Sequence, residues 1–173
     1  MARLLAENLI REIPDFPKAG ILFKDVTPLL ADAAAYQEVI DAFVESAQAL
    51  GPDVILGIEA RGFLFGAPLA LALGAGFVPA RKAGKLPHHV FREEYSLEYG
   101  TAVVEVHRDA VRPWQRVLIV DDLLATGGTA LAAARLVERA GGVVVGLSFL
   151  IELGALGGRS ALAGYDVQAL LTY

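Results

Sequence analysis

The chain has 173 residues and a mass of 18.3 kDa, so we expect residues 1–173 to form a single domain. Its 55% hydrophobic content and mean hydropathy of +0.50 exclude intrinsic disorder, because that much apolar surface can form a core. The net charge of −5 argues against a broad nucleic-acid-binding face, and the lack of cysteine excludes disulfides and thiolate metal sites. The apolar stretches are too short to cross a bilayer, so we expect a cytoplasmic protein without membrane or nucleic-acid partners.

The first half of the chain is predicted to alternate between helices and short strands. A helix of about Ala33 to Leu50 carries one apolar stripe, with Asp32 as its N-cap and Gly51-Pro52 as its end. The next elements are predicted to be a buried strand (Val54 to Ile58), a helix (Gly62 to Leu73) and a short strand (Phe77 to Ala80).

The middle of the chain has no clear period. Lys82 to Tyr99 is predicted to be an exposed, mobile segment that forms a hairpin with a strand from Ala102 to His107. His88 and His89 have neither helical spacing nor a third ligand nearby, so we expect them to be solvent-exposed rather than metal-binding.

The second half predicts a strand (Val117 to Val120), a helix (Thr129 to Ala140) and a strand (Val143 to Leu150). Continuously apolar strands joined by a helix are typical of a parallel sheet covered on both faces. The predicted fold class is therefore α/β, a Rossmann-like central parallel sheet flanked by helices. Ligands in such sheets bind beyond the carboxyl ends of the strands.

The most informative motif follows the strand Val117 to Val120. Asp121 and Asp122 come next, and the backbone amides at the start of the following helix can hold a phosphate without any lysine. The two carboxylates can accept hydrogen bonds from the hydroxyls of an attached sugar, or hold Mg²⁺ directly or through water. The predicted phosphate-binding residues are Ala125, Thr126, Gly127, Gly128 and Thr129.

An ordinary strand-to-helix turn would explain the glycine and threonine residues alone. It does not explain two adjacent acids after an apolar strand, where ionised groups cost several kcal/mol unless they are partnered. Two other phosphate motifs are excluded: Gly84-Lys85 is followed by Leu86 rather than Ser or Thr, and Gly74-Ala75-Gly76 lacks its third glycine.

The segment Val120 to Thr129 resembles the phosphoribosyl-diphosphate (PRPP) binding motif of the type I phosphoribosyltransferases, and its Leu-Leu-Ala-Thr-Gly-Gly-Thr variant resembles that of the adenine phosphoribosyltransferases. Four other segments are similar to parts of that family: Phe16 to Leu30 to its base-binding segment, Gly57 to Phe63 to its diphosphate loop, and Arg81 to Pro87 and Tyr95 to Gly100 to the two sides of its catalytic loop.

The resemblance implies the type I phosphoribosyltransferase fold, with residues 1–30 forming part of a hood over the base and with a flexible catalytic loop. It implies a purine salvage enzyme that uses Mg²⁺ to transfer phosphoribosyl from PRPP to adenine, giving AMP and diphosphate. It also implies a homodimer. Two alternatives stay open: a phosphoribosyltransferase for another purine, and a non-enzymatic regulator that senses PRPP.

The cations of the predicted diphosphate site are Arg61, Arg81, Lys82 and Lys85. Arg61 follows a strand and can reach a diphosphate there, or it can simply neutralise Glu59. The other three form a positive cluster that suits a diphosphate or, alternatively, a solvated surface. The resemblance implies a strained, cis non-proline peptide bond between Ile58 and Gly62.

Phe23 is predicted to lie in a loop-like segment closed by Pro28, where it can stack on a flat purine, or it can be a core aromatic. The resemblance implies that the backbones of Leu22 and Lys24 read the base, although arginine is common at the lysine position. Glu98 is the candidate that handles the ring proton of adenine, its alternative being an exposed loop acid. Tyr95 and Tyr99 are predicted to close the loop. His88-His89 stand where a glycine is common in the family.

Overall fold

The computed structural model describes residues 4–96 and 100–173. The chain divides into two compact units, Met1–Ala42 and Phe43–Tyr173. The strands are β1 (Arg11–Pro14), β2 (Leu22–Asp25), β3 (Val54–Ile58), β4 (Gly76–Lys82), β5 (Val90–Ser96), β6 (Thr101–His107), β7 (Arg116–Leu124), β8 (Val143–Glu152) and β9 (Val167–Thr172). The helices are α1 (Thr27–Ala31), α2 (Ala33–Gln48), α3 (Gly62–Leu73), α4 (Gly128–Arg139) and α5 (Gly158–Ala161).

The first unit contains a two-stranded antiparallel sheet of β1 and β2, in which Ile13 lies opposite Phe23. The sequence reading of a loop around Phe23 is therefore wrong. That stretch becomes a strand because it pairs with β1, and the local sequence pattern does not predict this pairing. Pro28 lies in the first turn of α1, where a missing N–H does no harm.

Helix α2 confirms the predicted helix and ends two residues earlier than expected. The Asp32 carboxylate caps it, since its Oδ1 accepts the N–H groups of Ala34 and Ala35, each at 3.0 Å. Gly51 has a φ of 52°, a left-handed conformation that suits glycine just after a helix.

The second unit is built on a seven-stranded sheet in the order β5-β6-β4-β3-β7-β8-β9. Strands β4, β3, β7, β8 and β9 run parallel, and β6 and β5 extend one edge in antiparallel fashion. Apolar side chains of β3, β7, β8 and α4 form a buried core. The predicted α/β class and the central parallel sheet are confirmed. No helix in the described ranges is long and apolar enough to cross a membrane.

Strand β7 is longer than the sequence predicts, and this corrects the position of the two acids. Asp121 and Asp122 lie inside the strand rather than after it. Pairing with β3 stops at the pair Gly57 and Val120, whereas pairing with β8 continues to Leu124. The acids therefore occupy the stretch where β7 has a neighbouring strand on one side only.

The hairpin of β5 and β6 confirms the predicted pairing. The expectation of an exposed segment from Lys82 to Tyr99 is wrong for β5, because Phe91 and Tyr95 pack against the core of the second unit. The guanidinium groups of Arg108 and Arg139 also lie 5.3 and 5.1 Å from the ring centre of Phe91. The mobility of the rest of the segment stays a prediction.

Candidate active site

Two strand-to-helix junctions lie side by side in the second unit, because β3 and β7 are parallel neighbours. The first junction connects β3 to α3, and the second connects β7 to α4. Gly62, the first residue of α3, lies against the end of β7. A Cβ atom at Gly62 would lie 2.7 Å from the carbonyl oxygen of Val120 and 2.9 Å from Oδ1 of Asp121. Glycine is therefore required for α3 to begin this close to the two acids.

The first junction brings Arg61 to the second. Nε of Arg61 forms an ion pair with Oδ2 of Asp122, which is only 5% exposed. A buried carboxylate is stable only when it is partnered, and the guanidinium supplies that partner. The peptide bond between Glu59 and Ala60 is cis, as the resemblance implied.

The two acids differ in their surroundings. Burial and the negative charge of Asp122 raise the pKa of Asp121 well above its ordinary value. The N–H of Asp122, which donates to Oδ1 of Asp121 at 2.9 Å, and the charge of Arg61 oppose this shift without overcoming it. A cation or hydroxyl donor arriving at the pair would therefore be favoured, because it would relieve the repulsion between the carboxylates.

The second junction forms a cleft of about 80 Å³ lined by Asp121 and residues 123–130. The first N–H groups of α4 have no acceptor within the helix, as at the start of any α-helix. Gly127 precedes this helix with a φ of 84°, the left-handed conformation that the predicted phosphate loop needs. This volume is several times the roughly 10–15 Å³ that one water needs, so a larger group such as a phosphate can enter.

The sequence reading missed Gly158, which supports this loop from the start of α5. A Cβ at Gly158 would lie 2.3 Å from the carbonyl oxygen of Ala125, and one at Gly127 would lie 2.6 Å from the carbonyl oxygen of Gly158. The two backbones touch, so both positions need glycine. The dipeptide Gly157-Gly158 was the available signal, but a turn would explain it equally well.

The predicted cation cluster lies at the end of β4 and in the turn after it. The guanidinium of Arg81 donates to both carboxylate oxygens of Glu59, at 3.2 and 3.3 Å, and the N–H of Lys82 donates to Oε2 at 3.0 Å. Burial acts to raise the pKa of Glu59, but the hydrogen bonds from Lys82 and Arg81 and the charges of Arg81 and Lys85 lower it overall. The structure thus places the cation cluster around a carboxylate of the first junction.

The remaining predicted residues are not all brought together. Tyr95 is half-buried and lines a cleft of about 260 Å³ that also contacts Gly128 and Leu131. Glu98 and Tyr99 lie outside the described residues. His88 and His89 are exposed, as predicted, with ring centres 4.8 Å apart.

The predicted base-binding residues lie on β2 in the first unit. The ring of Phe23 meets that of Phe16 edge to face, with centroids 5.1 Å apart. Lys24 is buried, and its ammonium forms an ion pair with Glu12 on the neighbouring strand. The side chain of Lys24 therefore has a role in the sheet, which leaves its backbone as the group that could read a base.

The described residues contain no group of three or more histidine and acidic side chains placed to hold a metal ion. Asp121 and Asp122 are nevertheless hard oxygen donors, with one oxygen of each taken by the hydrogen bond and ion pair already described. Mg²⁺ typically binds one or two carboxylates together with water and substrate phosphate oxygens. The pair fits a magnesium ion that arrives with a phosphorylated substrate.

Comparison with known proteins places the chain in a family. The model of the phosphoribosyl transferase domain matches residues 25–161, and the chain belongs to this family. It is 58% identical over 173 residues, all of both chains, to the adenine phosphoribosyltransferase of Desulfitobacterium hafniense. It is 57% identical to that of Thermobifida fusca, covering 97% of this chain and 96% of the relative.

Solved structures agree. The crystal structure of adenine phosphoribosyltransferase from Thermoanaerobacter pseudethanolicus has a TM-score of 0.95 at 55% identity, covering 97% of this chain and 98% of that one. The Saccharomyces cerevisiae enzyme, complexed with an imino-altritol bisphosphate and adenine, has a TM-score of 0.89 at 43% identity and 94% coverage of both chains. The predicted family and fold class are confirmed.

Proposed function

We propose that this protein transfers the 5-phosphoribosyl group of PRPP to adenine, giving AMP and diphosphate. The comparisons confirm the predicted enzyme class and base, since relatives named adenine phosphoribosyltransferase are 54–59% identical over nearly the whole chain. Within the chain itself, one observation supports the proposal most strongly: the phosphate-sized cleft at the start of α4, directly beside two acids.

The 5′-phosphate is held by the backbone amides of residues 125–129, with the hydroxyls of Thr126 and Thr129 as further donors. The N-terminal end of a helix offers unpaired N–H groups and positive potential, so it binds an anion without a cationic side chain. This arrangement leaves the arginines and lysines for the other, more highly charged end of PRPP.

Asp121 and Asp122 accept hydrogen bonds from the ribose hydroxyls and would hold Mg²⁺, directly or through water. Arg61 keeps Asp122 in place by its ion pair. The ion, when bound, neutralises charge on the diphosphate. Holding the sugar in one orientation lets the new bond form without a search for the correct geometry.

The departing diphosphate is stabilised by Arg61, Arg81, Lys82 and Lys85. Two of these cations, Arg61 and Arg81, are held in place by ion pairs with Asp122 and Glu59 before the substrate arrives. Preorganised charges of this kind act on the transition state, where negative charge on the leaving group is greatest.

Adenine is read by the backbones of Leu22 and Lys24 and stacks on Phe23. Backbone donors and acceptors can separate an amino purine from an oxo purine, because the wrong base leaves buried polar groups unpaired. Glu98 accepts the ring proton, and Tyr95 and Tyr99 close the loop against water. The family match crosses the boundary between the two units, and the Desulfitobacterium hafniense relative aligns over all 173 residues. Both support a single functional domain that includes residues 1–30.

The protein is proposed to act as a homodimer. Helix α3 has no polar side chain on any face, and Leu71 is 85% exposed on it. Helices that are apolar all round are usually buried, so a second copy covering α3 would remove this surface from water. The cytoplasmic location stays a prediction.

The experiment that tests the function is a competition among bases. Adenine, hypoxanthine, guanine and xanthine at equal concentration are incubated with the protein, PRPP and Mg²⁺, and the nucleotides are separated by chromatography. We expect AMP as the dominant product, with one diphosphate per AMP. Predominance of another nucleotide would support a different purine substrate, and binding of PRPP without any nucleotide product would support a sensor.

A further inference from the structure

Glu105, on β6, is a buried acid that the proposed reaction does not use. Its side chain is 1% exposed, although an ionised carboxylate in the interior costs several kcal/mol unless it is hydrogen-bonded or paired. Its partners therefore show what the chain gains from keeping it there.

The carboxylate joins two neighbouring elements. Oε2 of Glu105 accepts the N–H of Gly84 at 3.0 Å, and Oε1 lies 2.7 Å from Nε of Arg92. In the sheet, Glu105 is opposite Arg81 of β4 on one side and opposite Arg92 of β5 on the other. Residues directly opposite one another project on the same face of a sheet, so this row alternates in charge.

The bond to Gly84 holds the turn that follows β4. The same turn is fixed by the N–H of Ala83, which donates to the carbonyl of Val103 at 3.2 Å, and by Arg81, whose Nη1 donates to the carbonyl of Lys85 at 3.1 Å. Gly84 has a φ of 77°, so the turn takes a conformation that few residues adopt unaided. Lys82 and Lys85, at the two ends of this turn, are exposed.

We infer that Glu105 is a positioning residue: its buried carboxylate holds the turn of residues 82–85 so that Lys82 and Lys85 face the diphosphate of PRPP. The inference rests on the proposed function for the role of these lysines. The hydrogen bond to Gly84 does the positioning, whereas the ion pair with Arg92 only keeps the buried charge stable.

Two variants of similar volume separate the hydrogen bond from packing. Glu105→Gln keeps an oxygen that can accept the Gly84 N–H, and Glu105→Met replaces it by a thioether, which is a weak acceptor. Arg92→Ala is the control: it leaves the Gly84 bond intact and removes the partner of a buried charge, so it should lower Tm. The dissociation constant of PRPP with Mg²⁺ is measured by calorimetry, and KM for PRPP and for adenine by steady-state kinetics.

We expect Glu105→Met to weaken PRPP binding by about tenfold and raise KM for PRPP similarly, with KM for adenine unchanged. Glu105→Gln should bind PRPP within about twofold of the wild type, and so should Arg92→Ala despite its lower Tm. Equal binding by all variants would overturn the inference, as would a loss in Arg92→Ala that matches the loss in Glu105→Met.

Because calorimetry measures PRPP binding rather than AMP formation, the role of Glu105 is tested independently of the proposed reaction. If the wild type binds PRPP but makes no AMP, the function fails while the comparison of variants still decides the role of Glu105. If Glu105→Met does not fold, its binding measurement is replaced by hydrogen exchange of the Gly84 amide, measured in the wild type and in Glu105→Gln. Protection in both supports the inference, and exchange at the rate of an open amide overturns it.

Discussion

The two junctions at the centre of the site follow neighbouring parallel strands but offer opposite chemistry. The β3–α3 junction presents a guanidinium, Arg61, and leads into a helix that is apolar on every side. The β7–α4 junction presents two carboxylates and backbone donors, and it leads into a helix with one buried and one polar face. The ion pair of Arg61 with Asp122 links the two.

Under the proposed function, this difference lets different groups of the site bind different parts of PRPP. PRPP carries a phosphate at one end and a diphosphate at the other, with hydroxyls between them. Main-chain donors suit the single phosphate, acids suit the hydroxyls, and cations suit the diphosphate. The proposed function divides the helices in the same way: α4 binds the substrate, and α3 is proposed to form the dimer interface.

The largest effect is expected from the phosphate loop itself. Gly127→Ala places a Cβ against the carbonyl oxygen of Gly158 and strains a left-handed φ, so the loop must shift. We expect kcat/KM for PRPP to fall about 100-fold, or about 2.7 kcal/mol of barrier.

Gly74→Ala is the matched control for this substitution. Gly74 also has a left-handed φ, of 66°, but a Cβ there meets open space. It should lose about 1 kcal/mol of stability and keep its activity. A similar loss of kcat/KM in both variants would mean that backbone strain, rather than the phosphate loop, causes the effect.

The acids are expected to have the next largest effect. Asp122→Asn keeps the shape of the side chain but weakens both the ion pair with Arg61 and the acceptor for the ribose. Initial rates with PRPP and adenine should fall about 30-fold, equivalent to about 2 kcal/mol. Asp109→Asn, an exposed acid beyond β6, serves as the control.

Combining Asp122→Asn with Arg61→Ala tests whether the two junctions act together. The double variant should lose less activity than the product of the two single losses, because each substitution already breaks the shared ion pair. Fully multiplicative losses would show that the junctions work independently, and a loss under threefold for Asp122→Asn would remove the role given to that acid.

A third prediction concerns the apolar helix of the first junction. Leu71→Glu puts a charge on the surface that a second copy is proposed to cover, so it should weaken the dimer at least about tenfold, or about 1.4 kcal/mol. Analytical ultracentrifugation measures this change. Trp114→Glu is matched in exposure, at 82% against 85% for Leu71, and should leave the dimer intact. Dissociation by Trp114→Glu alone would assign the interface to another face.

The smallest effect is on stability and depends on pH. Because the pKa of Asp121 is raised in the folded protein, the native state holds more protons than the unfolded state between the ordinary and the raised pKa. The free energy of unfolding therefore falls as pH rises through that window.

Asp121→Asn removes this dependence while its Oδ1 can still accept the Asp122 N–H. At neutral pH the variant should be about 1 kcal/mol more stable than the wild type, with Tm higher by about 2–4 °C. The advantage should shrink in thermal melts at lower pH. A variant that is less stable than the wild type at neutral pH would show that burial and the charge of Asp122 do not raise the pKa of Asp121.

Much of the second unit could be predicted from the sequence because its signals are local. The apolar run from Val54 to Ile58 and the helix from Gly62 to Leu73 have the predicted bounds. The acids and glycines are the residues that predict a phosphate loop. What the sequence could not give depends on distant partners: β1 turns the segment around Phe23 into a strand, and β8 extends β7 past the acids.

The supporting contacts were equally hidden. Gly158 reaches the loop from a helix more than 30 residues further along the chain, and the Glu105 bond joins β6 to Gly84, in the turn 21 residues earlier. Nothing in the local pattern around either residue distinguishes it from an ordinary turn glycine or strand acid, because their roles come from tertiary contacts alone.

The most direct test of the central claim is a crystal structure of the protein with PRPP and Mg²⁺. We expect the 5′-phosphate within hydrogen-bonding distance of the amides at the start of α4, and the ribose hydroxyls hydrogen-bonded to the Asp121–Asp122 pair. Density for PRPP elsewhere, with the Arg61–Asp122 ion pair unchanged and the cleft beside α4 holding only solvent, would contradict it.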